Sequence, residues 1–142
     1  MRSLIGGSAI IDGNTIHALT GNGILVNQRS SAQITNNLIR NDRIQNNGGV
    51  GIIVSEGSTA RIDSIEGNKG KGITVMRTYD ARVVGNTVRN NGGAGIEISR
   101  GSRADIAGNI IDVNGGSGVS VSENFGVNFG SGCPSQCSGD QV

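Results

Sequence analysis

An all-β solenoid, three-sided and built of about five parallel coils, is the fold class the sequence predicts, and three observations predict it. The phrase Gly-Ile/Val returns at Gly23-Ile24, Gly51-Ile52, Gly72-Ile73, Gly95-Ile96 and Gly118-Val119, with spacings of 28, 21, 23 and 23 residues. Inside each unit, apolar residues alternate by two in short runs, as in Ile96/Ile98, Ala104/Ile106 and Ile111. The chain of 142 residues holds 25 glycines but one proline and no tryptophan. Glycine at that level without a three-residue period is neither collagen nor a proline-rich linker; here it is turn chemistry used many times over.

Alternation by two is a strand signature, because successive side chains on a strand point to opposite faces. Gly, Asn or Ser separates each mini-strand from the next. Three short strands in a unit of about 23 residues can wind so that each pairs in parallel with its own copy one coil later, about 4.8 Å along the axis.

The first strand of each unit places Ile24, Ile52, Ile73, Ile96 and Val119 in one inward column. Val26, Val54, Val75, Ile98 and Val121 form a second. The second strand, opened by a small-Ala phrase at Ala9, Ala32, Ala60, Ala81 and Ala104, supplies Ile11, Ile34, Ile62, Val83 and Ile106. The third supplies Ile16, Ile39, Val88 and Ile111, with Ile65 filling the same place in a shorter turn. Stacked aliphatic columns make a dry core that needs no aromatic residue.

Outward positions carry the charge. The third strand presents His17, Arg40, Glu66, Arg89 and Asp112 on successive coils, a salt-bridge ladder. The second presents Gln33, Arg61, Arg82 and Asp105; adjacent arginines there suit an acidic polysaccharide, since guanidinium pairs well with carboxylate, but a solvated face partly neutralised by Asp63, Asp80 and Asp105 is the favoured reading. The segment 36–51 is about five residues longer than its equivalents; its Asp42, Arg43 and Gln45 are polar enough to contact a partner, but a tolerated insertion is the favoured reading. Twelve basic residues against eleven acidic leave a net charge of +1, which argues against an electrostatically driven nucleic-acid or membrane-surface binder. No apolar run reaches the ~18 residues of a membrane-spanning helix. The opening MRSLIGGSAII is too short in apolar residues to read as a signal peptide.

The strings of the form NxIxxNGGxGIxV, at Asn86–Ile98 and Asn109–Val121, resemble the right-handed parallel β-helix of the pectate-lyase-like superfamily, in particular its generic parallel β-helix repeat members. The resemblance covers residues 8–122. It implies a right-handed coil, an extracellular origin, and an internal asparagine ladder formed by Asn14, Asn37, Asn86 and Asn109 at the tight corner between the second and third strands. It implies no single activity, because the superfamily includes lyases, hydrolases, epimerases, phage tailspikes and proteins without known chemistry.

In the carbohydrate-active relatives the outer face of the first strand and the loops after it form the substrate groove. Here that face carries Leu25, Ile53, Thr74, Glu97 and Ser120, with Glu56, Arg77, Arg100 and Glu123 just beyond. Glycosidases need two acids within about 5–10 Å of the bond they cut, and only Glu97 lies on the face itself. No set of His, Cys and carboxylate suggests a metal, and no cofactor motif occurs. The NTD, GHG and RIK-type strings of hydrolases are absent, and Thr78-Tyr79-Asp80 poorly matches the YG-x-DPH-type string of uronan epimerases. The sequence therefore nominates no catalytic residue, and Arg77, Tyr79, Glu97 and Arg100 as ligand-binding candidates.

The expected organisation is β-helix coils over 1–124 and a capping tail over 125–142, where Phe125, Val127 and Phe129 plug the core. Cys133 and Cys137 either close a small loop or remain thiols, and zinc would need two more ligands. The expected function is a non-catalytic module, structural or binding, with polysaccharide as the partner class. The rivals are a fragment or relative of a polysaccharide lyase, hydrolase or epimerase, and a self-assembling solenoid. An N-terminal coil with little to cover Ile11, Ile16 and Ile24 further suggests a homodimer through an open end.

Overall fold

The computed structural model describes residues 2–5, 7–16, 20–35, 38–39, 49–61, 65–123, 126–129 and 137–139. His17, Asn37, Phe125, Cys133 and the polar residues of the long 36–51 turn lie outside this set. The first coil holds β1 (Arg2–Ile5), β2 (Ser8–Asp12) and β3 (Thr15–Ile16). The second holds β4 (Ile24–Asn27), β5 (Ser31–Thr35) and β6 (Leu38–Ile39); the third, β7 (Ile52–Ser55), β8 (Thr59–Arg61) and β9 (Ile65–Glu66). The fourth holds β10 (Ile73–Met76), β11 (Ala81–Val84) and β12 (Thr87–Arg89); the fifth, β13 (Ile96–Ser99), β14 (Arg103–Ala107) and β15 (Ile110–Asp112). Then come β16 (Val119–Val121), β17 (Gly126–Asn128) and β18 (Cys137–Gly139).

Strands three apart in the chain pair in parallel as far as β17, and β18 adds to β16, giving three sheets. Among the described residues the first runs β1-β4-β7-β10-β13-β16-β18, the second β2-β5-β8-β11-β14-β17 and the third β3-β6-β9-β12-β15. The third sheet thus steps four times from its first strand to its last, so the expected five coils correspond to about four full turns of the solenoid. The register is in step throughout: Ile73 pairs with Ile52 on one side and Ile96 on the other. Ile65 pairs with both Ile39 and Val88, which places it in the third-strand column despite its shorter turn.

The segment before the first repeat is a strand, with Arg2 opposite Ile24 and Leu4 opposite Val26. At the other end Val127 stands opposite Ala104 and Cys137 opposite Val119, so β17 and β18 prolong the second and first sheets. Val127 and Phe129 pack, partly buried, against the core.

Among the described residues the core follows the predicted columns; Ile62 lies outside that set. Ile52, Ile73, Ile96, Val54, Val75, Ile98, Val83 and Val88 are wholly buried; Val121, last of its column, is only partly so. A chain that turns three times per coil also buries backbone at every corner, and buried N–H and C=O groups require partners. Each corner meets that need with its own polar column. Between the second and third sheets, the backbone N–H and Nδ2 of Asn86 both donate to Oδ1 of Asn109, at 2.9 and 2.8 Å, and Asn109 Nδ2 donates to the carbonyl of Val83. This is the expected ladder at Asn86 and Asn109. Asn14 is half-exposed, with Nδ2 donating to the Asp12 carbonyl in its own coil.

A second asparagine ladder, not anticipated from the sequence, closes the corner between the third and first sheets through Asn68, Asn91 and Asn114. It passes the glycine that opens each first strand. A Cβ on Gly72 would lie 2.6 Å from the Gly95 carbonyl oxygen, 2.7 Å from Val88 Cγ1 and 2.9 Å from Asn91 Nδ2. That carbonyl also accepts the N–H of Ile73. Backbone, core methyl and ladder amide converge on a space that only glycine leaves open, which is why Gly-Ile/Val is the most regular phrase in the chain.

Candidate functional site

The third corner, between the first and second sheets, positions the candidate ligand-binding residues. Its interior is a hydroxyl column: Ser30, Ser58, Thr78 and Ser102 are all buried. Ser58 Oγ accepts the N–H of Ser30 at 3.2 Å, and Ser102 Oγ donates to the Ser99 carbonyl at 2.6 Å. Thr78 Oγ1 donates to the Ser58 carbonyl. Drawing Thr78 inward leaves its neighbour Tyr79 outside, 66% exposed.

The exterior of this corner is a rib of left-handed residues. Gln28, Glu56, Arg77, Arg100 and Glu123 follow the first strands at equivalent positions, with φ of 55°, 55°, 52°, 56° and 47°. Such angles cost an L-residue roughly 1–2 kcal/mol, offset here by a fixed coil-to-coil hydrogen-bond pattern. The Glu56 carbonyl accepts Arg29 N–H at 3.0 Å, the Arg77 carbonyl accepts Gly57 N–H at 2.7 Å, and the Glu123 carbonyl accepts Gly101 N–H. All five side chains are exposed. Spaced at about the 4.8 Å of parallel strands, the four charged members read acid, base, base, acid along the axis.

Of the four nominated residues, the structure places Arg77 and Arg100 side by side on this rib, with Tyr79 at the same corner. Neither guanidinium has an ion-pair partner among the described residues. Glu97 stands apart, at the middle of the first sheet's outer face between Thr74 and Ser120. Its carboxylate is engaged: Lys71 Nζ lies 2.5 Å from Oε1, and Thr74 Oγ1 donates to Oε2 at 3.5 Å. Lys71 was not singled out from the sequence, and the regular 23-residue offset does not relate it to Glu97; the pair closes across 26 residues, from a corner to a strand.

On the second sheet's outer face Arg82 stands between Arg61 and Asp105, and Asp105 Oδ1 accepts Asn128 Nδ2 at 3.2 Å. On the third sheet Arg89 Nε lies 2.8 Å from Glu66 Oε2, the expected ladder rung. Among the described residues no three His, Cys, Asp or Glu side chains gather as a metal-binding group, and no helix is long and apolar enough to cross a membrane. What the corner offers chemically is a pair of unpaired planar cations at fixed spacing beside an exposed aromatic ring. Guanidinium groups in that state suit carboxylates, and an aromatic ring suits the apolar face of a sugar.

Compared with known proteins, the chain matches the family model described as "Right handed beta helix region" over residues 3–131. No curated protein and no solved structure matches it.

Proposed function

The chain belongs to the right-handed beta helix family, and from that premise we propose that it is a non-catalytic binding module whose corner between the first and second sheets engages an acidic carbohydrate. The observation that carries this reading is the adjacency of Arg77 and Arg100, exposed and without ion-pair partners, beside the exposed ring of Tyr79. Repulsion between neighbouring cations is relieved when an anion sits between them. A β-helix fixes the backbone at both positions, so only the two side chains have to order on binding. The engagement of Glu97 with Lys71 supports the non-catalytic part of the reading, because glycoside hydrolysis works with two carboxyl groups facing one bond.

The test is electrophoresis of the protein through gels containing polygalacturonate or alginate, run beside assays for unsaturated product and for new reducing ends. Retardation by the acidic gels, relief of it by salt, and no turnover are expected. Product formation, or equal retardation by a neutral glucan, would sink the reading.

A further inference from the structure

One outward row of the second sheet is polar on every coil but the first. Coil by coil, Gln33, Arg61, Arg82, Asp105 and Asn128 stand in register behind Ile10. Ile10 is 76% exposed, more than any other large apolar side chain among the described residues. It stands at the centre of β2, and among the described residues β1, β2 and β3 each pair on one side only, with β4, β5 and β6. Such edges are usually blunted by lysine, proline or an inward charge. β2 reads Ser-Ala-Ile-Ile-Asp and has none of these, since its one charge, Asp12, is exposed at the strand's end. The inward columns are bare on this side as well: Ala9 and Ile16 are only partly buried, whereas Ala32, Ala81, Ile65 and Val88 behind them are buried.

We propose that the edge of the first coil is a docking surface for a second copy of this chain, joined head to head through β2. The strand is complementary to itself. A twofold axis perpendicular to the solenoid and passing through Ile10 sets the two β2 strands antiparallel, with Ile10 opposite Ile10, Ala9 opposite Ile11 and Ser8 opposite Asp12. Apolar then meets apolar, a hydroxyl meets a carboxylate, and backbone groups on both edges gain partners. The same axis brings β1 of each copy to β3 of the other, so one operation closes all three edges, as an isologous interface requires. Head-to-tail stacking would instead lay Ile10 beside Asn128, whose Nδ2 already donates to Asp105. The far end is also uneven among the described residues: the first sheet runs two strands past β13, the second one strand past β14, and the third stops at β15. Strands of four, five and two residues cover less than the roughly 800 Å² per partner of a standard interface, which puts the dimer in the micromolar range.

The experiment is sedimentation of the intact chain from about 1 to 200 µM, a range that brackets a micromolar dimer, with two variants at position 10. The wild-type mass should rise with concentration from one chain to two and stop there. Ile10→Arg keeps the fold, because Arg61 and Arg82 occupy the same outward position. It sets like charges opposite each other and removes the apolar contact, so it should weaken the dimer by roughly tenfold or more. Ile10→Cys tests the orientation. Directly opposed residues of antiparallel strands lie about 4.5–5.5 Å apart at Cα, within the ~4.4–6.8 Å that a disulfide spans. Mild oxidation should therefore give a covalent dimer that peptide mapping finds joined through position 10 of both copies, and the wild type should give none. A wild-type chain that stays monomeric throughout the range would overturn the proposal, as would a dimer that Ile10→Arg leaves intact. Mass that grows past two chains, with no link between the two positions 10, would replace it with head-to-tail stacking.

Discussion

Asn91 serves both of its neighbours in the solenoid at once. Its backbone N–H and its Nδ2 donate to Oδ1 of Asn114 at 3.1 and 3.0 Å, while its own Oδ1 accepts the N–H and the Nδ2 of Asn68, both at 3.0 Å. One amide in register with two others thereby satisfies backbone that the corner buries, and it fixes the distance between coils at the same time.

Replacing Asn91 with leucine should therefore destabilise the protein well beyond the loss of one bond. The change removes the acceptor shared by the N–H and Nδ2 of Asn68, at about 1–3 kcal/mol for a buried group left unpaired, and leaves Asn114 Oδ1 with only the backbone N–H of residue 91. Asn86→Leu should also destabilise the other asparagine corner, where Asn109 Oδ1 loses the Nδ2 donor and keeps only the backbone N–H of residue 86. The control is Asn90→Gly: Asn90 is exposed with φ of 56°, and glycine accepts that angle freely. Urea denaturation should show Asn90→Gly within about 0.5 kcal/mol of wild type. Equal losses at Asn90 and Asn91 would place the buried ladder wrongly.

The fold was legible because its determinants repeat. Ile24, Ile52, Ile73, Ile96 and Val119 name their own column, and a one-residue slip would move every one of them to the solvent face. Asn86 and Asn109 were legible through the Gly-Asn string. Asn68, Asn91 and Asn114 recur just as regularly, four residues before each first-strand glycine. The Asn-Gly setting of Asn91 and Asn114 is nevertheless a signal of an exposed turn, and nothing local distinguishes the inward Asn91 from its outward neighbour Asn90. The corner rib was hidden for a different reason. Left-handed backbone is normally announced by glycine or asparagine, whereas Gln28, Glu56, Arg77, Arg100 and Glu123 all adopt it, with the carbonyls of Glu56, Arg77 and Glu123 held by coil-to-coil hydrogen bonds. Arg77 and Arg100 could be nominated by charge, but their shared geometry and their flanking acids are properties of the coil.

Val113 should be a site of easy stabilisation. Gly67, Asn90 and Val113 occupy the same left-handed position on successive coils, with φ of 69°, 56° and 48°. Valine is the worst suited of the three, being β-branched, and its side chain is 66% exposed, so little packing is lost with it. Val113→Asn or Val113→Gly is expected to add about 1 kcal/mol and raise the melting temperature by several degrees. An unchanged or lowered melting temperature would mean that the angle is not strained.

Gly95 should behave in the opposite sense. A Cβ there would meet the Gly118 carbonyl oxygen and Ile111 Cγ2 at 2.7 Å and Asn114 Nδ2 at 2.8 Å. Gly95→Ala therefore forces coil, core and ladder apart together, at about 1–3 kcal/mol or more. Gly13, with φ of 63° and nothing within 4 Å of an added Cβ, is the matched position where only the angle matters. Gly13→Asn should stay near wild type by calorimetry.

The middle of the first column should not tolerate charge. Ile73 is fully buried between Ile52 and Ile96, and an aspartate there finds no donor to replace water. Ile73→Asp is expected to lose its far-ultraviolet strand signal at room temperature, while Ile73→Val costs roughly 0.5–1.5 kcal/mol. A folded Ile73→Asp would contradict the inward face.

Lys71 and Glu97 separate structure from binding on the first sheet. Their side chains are 40% and 20% exposed and meet at 2.5 Å above the buried Thr74. A pair so open to solvent is screened, and a double-mutant cycle with Lys71→Met and Glu97→Gln should give a coupling of about 0.2–1 kcal/mol. The coupling should shrink as salt is raised, since exposed charges are shielded over a Debye length of about 8–10 Å at physiological ionic strength. Glu97 lies three residues before Arg100 on the same coil but in the middle of the sheet, not on the rib. Glu97→Gln should therefore leave digalacturonate affinity within about twofold of wild type, a difference below 0.5 kcal/mol, where Arg100→Asn does not. A larger loss in the glutamine variant would extend the binding surface from the corner onto the first sheet and make the Lys71 contact part of it.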